Sequence, residues 1–110
     1  MSGKRYDREV VYVDPDFLDL IPLFLESRRK EIATIKECIA NNDLREAQRL
    51  GHGMKGAGGG YGFHEISIIG KSIEEAAKAG NTAEIEEALE RLAEYLEVVE
   101  VIPAGNGKPS

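Results

Sequence analysis

The residues best suited to chemistry lie in the run Gly51-His52-Gly53-Met54-Lys55-Gly56. Read as helix, Lys55 and Gly56 are the third and fourth neighbours of His52, the spacings at which side chains on one helix meet. An imidazole then has an ammonium on one side and bare backbone on the other. That combination suits reversible phosphorylation of the ring by a protein partner. Unperturbed imidazole titrates at about 6.5, so near neutral pH much of it is a nucleophile without special activation. Lys55 would reduce the repulsion met by an incoming phosphoryl group and pair with its oxygens afterwards. Gly56 leaves no side chain in the way of a partner's pocket closing over His52.

Eight of the 12 glycines fall between Gly51 and Gly70. Each glycine inside a helix costs about 1 kcal/mol against alanine, so a cluster needs a reason other than local stability. Close approach of another helix on the inward side, or of a partner on the outward side, supplies one. Helical periodicity separates the two groups. With Leu44, Ala47, Leu50, Gly51, Met54 and Gly58 facing inward, His52 falls outside that stripe, alongside Arg45, Arg49, Gly56 and Gly59. His52 is therefore expected on the surface.

The flanking segments carry helix punctuation. Asp14-Pro15 marks a helix start, with proline where its missing N–H costs nothing, and Pro22 restarts or kinks that helix. From about Ile21 to Asn41, Phe24, Ile32, Ile35 and Ile39 with Cys38 form a stripe flanked by Arg28, Arg29, Lys30 and Glu37. Asp43 with Glu46 and Asn81 with Glu84 are capping pairs. His64 to Ala79 repeats Ile66, Ile69, Ile73 and Ala77 on one face, and Gly80 follows as a left-handed terminator. Thr82 to about Val101 holds a seam of Ile85, Ala88, Leu89, Leu92, Leu96 and Val99. The expected fold is all-α: an antiparallel up-and-down four-helix bundle over 14–102, with a short extra N-terminal helix. An arm, 1–13, precedes it and a disordered tail, 103–110, follows. Val10 to Val13 and Val98 to Ile102 are β-branched enough to extend and pack on each other.

These residues resemble a known family. His52-Gly53-Met54-Lys55-Gly56 is similar to the His-x-x-Lys-Gly signature of histidine phosphotransfer domains, and Ala57 to Gly62 resembles the small-residue stretch that follows it. An acidic-capped helix leads into the motif. Ile69-Gly70-Lys71-Ser72-Ile73-Glu74 is similar to the family's Leu/Ile-Gly-x-x-Ile-Glu pattern, and the likeness runs from about Pro15 to Leu96. It implies a four-helix bundle that shuttles a phosphoryl group between receiver-domain aspartates on the outer nitrogen of the histidine. By position, His52 would be the phosphoacceptor, Lys55 its charge partner and Gly56 the docking gap. Glu74 stands where some members have a glutamine bonded to the inner ring nitrogen; a carboxylate can accept the same N–H. Gly59, Arg45 and Arg49 are candidates for docking an acidic receiver surface, although a solvated helix face also commonly carries arginine.

The expected partners are response-regulator receivers or a hybrid sensor histidine kinase. No ATP-binding region accompanies the motif, so a phosphocarrier and not an enzyme is expected. No cofactor is expected on this chain, since a receiver brings its own Mg²⁺. A net charge of −6 with a pI near 5.0 disfavours nucleic acid, and Glu84 to Glu100 is rich in glutamate. With no long apolar run and no signal pattern, the chain reads as cytoplasmic, without a membrane span, and monomeric. Cys38, the sole cysteine, reads as a small buried hydrophobe. His64 has no lysine-glycine pair after it and reads as inert. Gly51-x-Gly53-x-x-Gly56 also satisfies the dinucleotide-binding pattern, but that requires a preceding strand and a turn, whereas Asp43 to Leu50 already reads as helix. The remaining alternative is a phosphorylation-independent helical adaptor.

Overall fold

The computed structural model describes residues 6–105. The elements run β1 (Glu9–Val13), a 3-10 segment (Pro15–Leu20), α1 (Ile21–Ala40), α2 (Leu44–Tyr61), α3 (His64–Lys78), α4 (Thr82–Val98) and β2 (Val99–Pro103). Consecutive helices pack on one another and α4 returns to α1, so four helices enclose one core. Among the described residues no helix is long and apolar enough to cross a membrane.

In both capping pairs the N-cap side chain acts, but the reciprocal half does not form, since the Asp43 and Asn81 amides donate to the Cys38 and Ala76 carbonyls. The Asp43 carboxylate accepts from the Glu46 amide at 3.2 Å, and the Asn81 side chain accepts from the Glu84 amide at 3.1 Å. Each satisfies one of the donors that a helix start leaves without an internal partner. Gly62 ends α2 with φ 87° and Gly80 follows α3 with φ 74°, the left-handed backbone in which a side chain is strained.

The extra N-terminal helix is corrected to a 3-10 segment. Asp14 caps it by accepting from the Asp16 amide at 2.9 Å, and the Phe17 amide donates to the Asp14 carbonyl at 2.8 Å. Pro22 has no N–H to carry an α-helical ladder backward, so the ladder restarts with Pro22 in the first turn of α1. None of the six residues is fully buried, although Leu18 packs against the core and Phe17 against Tyr61.

The all-α expectation is also incomplete, because a two-stranded parallel sheet joins the two ends of the chain. Its register pairs Glu9 with Val99, Val11 with Val101 and Val13 with Pro103. Parallel neighbours need a crossover, and here the whole bundle serves as one. The α4 helix therefore stops at Val98 rather than Val101, since the β-branched residues beyond it find ladder partners in β1. Residues 9–13 of the expected arm belong to this sheet; 1–5 of that arm, and 106–110 of the expected tail, lie outside the described residues.

The core contains Ile35, Met54, Phe63, Ile66, Ile69, Ile73, Ile85, Leu89, Leu92 and Tyr95, each shielded from solvent. Cys38 is among the buried residues, and burial pushes its thiol above the usual range, as suits a small hydrophobe. Arg28, expected to flank the α1 stripe, is only 8% exposed. Its guanidinium lies 4.8 Å from the Phe24 ring centroid, and Nε is 2.8 Å from the Glu31 carboxylate.

The closest helix contact joins α2 to α3, and glycines make it. A β-carbon built at Gly70 would lie 2.5 Å from the Lys55 amide nitrogen, and one at Gly58 would lie 2.7 Å from that of Ser67. Both obstacles are backbone, which cannot rotate away. At Gly53, by contrast, an added β-carbon meets nothing within 4 Å. Gly58→Ala and Gly70→Ala are each expected to destabilise by about 1–3 kcal/mol through overpacking. Gly53→Ala should stabilise by up to about 1 kcal/mol through helix propensity. Urea unfolding midpoints check both; equal effects at 53 and 70 would contradict this packing.

Candidate functional site

The α2 helix presents His52 outward, its side chain 68% exposed, while Gly51 and Met54 on the opposite side are buried. The next turn contributes Lys55 and Gly56, and space beyond Gly56 is open, with nothing within 4 Å of a built β-carbon. Gly59, one turn further, has only the Ser67 hydroxyl oxygen nearby, at 3.8 Å.

The α3 helix supplies the third participant. A β-carbon at Gly51 would lie 2.7 Å from the amide nitrogen of Glu74, so the missing side chain beside His52 is what lets the Glu74 backbone come this close. From there the Glu74 carboxylate reaches both partners at once. Its Oε2 lies 3.0 Å from His52 Nδ1, and its Oε1 lies 2.9 Å from Lys55 Nζ. The Ser67 hydroxyl donates to the Lys55 carbonyl at 2.9 Å, a second tie between the same two helices.

Charge and tautomer follow from this bridge. The hydrogen bond from Lys55 holds the Glu74 carboxyl below its ordinary value of 4.5, aided by that from His52 and opposed by partial burial. At neutral pH Glu74 is therefore an ionised carboxylate, which only accepts, so His52 Nδ1 must be the donor. With the proton on Nδ1, a neutral ring carries its free lone pair on Nε2, directed away from Glu74. In the unphosphorylated protein Lys55 pairs with Glu74 and offsets its charge.

The two arginines differ. Arg49 donates to Glu46 within α2, at 2.9 Å from Nε, and is held along the helix surface. Arg45 lies with Gln48, Arg49, His52 and Glu74 along one open groove of about 480 Å³. His64 opens α3 and does not line that groove. Gly51, Gly53 and Gly56 lie inside one continuous helix, so the turn demanded by a dinucleotide fingerprint is absent there.

A second surface was missed in the sequence. Leu20, Leu23, Phe24 and Tyr61 line a groove of about 270 Å³ with Ala57, which lies one turn beyond Gly53 on α2. Leu23 is 68% exposed, and the Phe17 ring meets Tyr61 edge-on at 5.5 Å. The available signal was Phe17, Leu20 and Leu23 crowded around Pro22: apolar residues in a segment too short to bury them. Ser67 and Gln48 carry no distinctive spacing and emerged only from the packing.

Comparison with protein-family models matches residues 19–101 to the family described as Hpt domain. No curated protein sequence and no solved structure matches the chain.

Because the folded Glu74 carboxyl is depressed, its contribution to stability is complete above pH 4.5 and is lost as pH falls through the lower folded value. Lys55→Met should return the Glu74 titration toward 4.5, followed by NMR of the carboxyl carbon. An unmoved titration would show that Lys55 is not its dominant partner.

Proposed function

This chain belongs to the Hpt domain family, the histidine phosphotransfer modules of phosphorelays, and from that premise we propose that His52 is the phosphoacceptor. The observation that carries this reading is an exposed imidazole whose Nδ1 is held 3.0 Å from Glu74 while the space past Gly56 stands open. The short connections 41–43, 62–63 and 79–81 are of the kind that reverse chain direction, which supports an antiparallel bundle presenting α2 along one side.

The reaction follows from these positions. The Nε2 lone pair attacks the phosphorus of a receiver's aspartyl phosphate; the N–P bond forms as the P–O bond to aspartate breaks, and aspartate leaves as a carboxylate. Positive charge develops on the ring, and the hydrogen bond from Nδ1 to Glu74 stabilises it. Lys55 keeps Glu74 from repelling the incoming phosphoryl group, because the pair is close to neutral together. The reverse sequence returns the group to a second receiver, with Mg²⁺ and aspartate supplied by that partner. The chain thus acts as a carrier and not as a kinase.

The receiver, or a hybrid sensor kinase bearing one, is proposed to settle over Gly56 and Gly59 with the apolar rim of Leu20, Leu23 and Tyr61 beside them. Exposed apolar patches bordered by polar groups are characteristic of such contacts. A monomer working in the cytoplasm, where receivers reside, fits this use of His52.

Incubation with phosphorylated receivers should give native protein an acid-labile, base-stable phosphate, and His52→Gln none. Gly56→Leu should remain folded by circular dichroism yet accept phosphate about tenfold or more slowly, since bulk there holds the reacting atoms apart. Labelling of His52→Gln equal to native would sink the proposal. Full cellular output from His52→Ala would favour the adaptor reading.

A further inference from the structure

Resting on the phosphocarrier reading, we propose that Arg45, assisted by Gln48, is the residue that binds the phosphoryl group once it is on His52. Phosphorylation adds about −1.5 to −2 charge and three acceptor oxygens, which call for a cation or an amide within reach. Two cations near His52, Lys55 of the motif and Arg49 on the turn before it, are already engaged. Lys55 Nζ is 2.9 Å from Glu74, and Arg49 Nε is 2.9 Å from Glu46. Arg45 is exposed and makes no hydrogen bond or ion pair among the described residues, yet it lines the same groove as His52.

Helix geometry directs the phosphoryl group toward it. Side chains on an α-helix lean toward the N-terminus, so the ring of His52 lies over the preceding turn, occupied by Gln48 and Arg49. Nδ1 is taken by Glu74, which leaves Nε2, on the far side of the ring, to carry the phosphoryl group beside the groove that His52 lines. Gln48, one turn before His52, offers an amide N–H donor, and Arg45, one further turn back, offers a planar fork suited to two phosphoryl oxygens. Glu74 lines this groove as well, and its charge is answered by Lys55. Arg45 would thus add a cation for the phosphorylated ring beyond the Lys55–Glu74 pair.

Phosphoramidate provides a partner-free test. The Nε2 lone pair bonds to its phosphorus, its P–N bond breaks, and ammonia leaves with the protons that nitrogen already carried. The Nδ1 proton remains on the ring toward Glu74. The ³¹P resonance of the phosphorylated protein is then followed against pH. A cation close to the phosphoryl group lowers its second ionisation, so Arg45→Gln should raise that midpoint by about half a unit. Arg45→Lys should restore part of the shift, and added salt should shrink the difference between native and Arg45→Gln. A midpoint unchanged in Arg45→Gln, with His52 phosphorylated as in native protein, would overturn the role of Arg45 alone. Failure of native protein to take phosphate on His52 would instead overturn the phosphocarrier reading beneath it.

Discussion

The site depends on how closely α2 and α3 approach, and that approach exists because Gly51, Gly58 and Gly70 have no side chains where the helices cross. At these positions the opposing atoms are backbone: the amides of Glu74, Ser67 and Lys55 occupy places that β-carbons would need. Helices held apart by ordinary side chains would carry Glu74 away from His52. The same contact brings Ser67 to the Lys55 carbonyl, so the backbone at the motif is tied to α3 as well as the side chains. Glycine's cost in helix propensity is offset by a geometry that no larger residue permits.

That contact turns three separate residues into one electrostatic unit. A lone carboxylate beside the proposed phosphoacceptor would repel the group to be accepted, and a lone ammonium there would have no fixed partner. Bridged together, Glu74 fixes the proton on Nδ1 while Lys55 offsets its charge. The net charge of −6 makes such local compensation important, because the chain as a whole repels anions.

The sheet serves a different purpose. Two short strands would be marginal in isolation, but β1 and β2 are attached to a completed bundle whose buried face receives Val13. Tyr6 adds to this end of the molecule. Its ring meets that of Tyr95 edge-on at 5.5 Å, and its hydroxyl donates to Glu65, to which Arg91 also reaches at 3.4 Å. Burial, reinforced by the Glu65 carboxylate, pushes the Tyr6 hydroxyl up to about 12. The two ends of the described segment are thus joined through β1, β2 and α4, while α2 and α3 carry the site.

Much was legible in the residues alone, and for local reasons. Helical stripes, the Asp43 and Asn81 caps and the glycine terminators act within a turn or two, so sequence spacing determined α2, α3 and α4 and put His52 on the outside of α2. Composition posed two uses for the glycines, and helical periodicity already turned Gly51 and Gly58 inward and Gly56 outward; packing added Gly70 to the inward group, Gly53 to the open one, and the closeness of the approach. The pairing of Lys55 with Glu74 was beyond reach, and Glu74 was placed beside His52 only by the family resemblance, because these distances are set by helix approach and not by spacing along the chain. The 3-10 segment and the early end of α4 were decided in the same way. Pro22 and the β-branched ends were visible in the sequence, but whether the ends would pair, and so where α4 stops, depended on a strand far away along the chain.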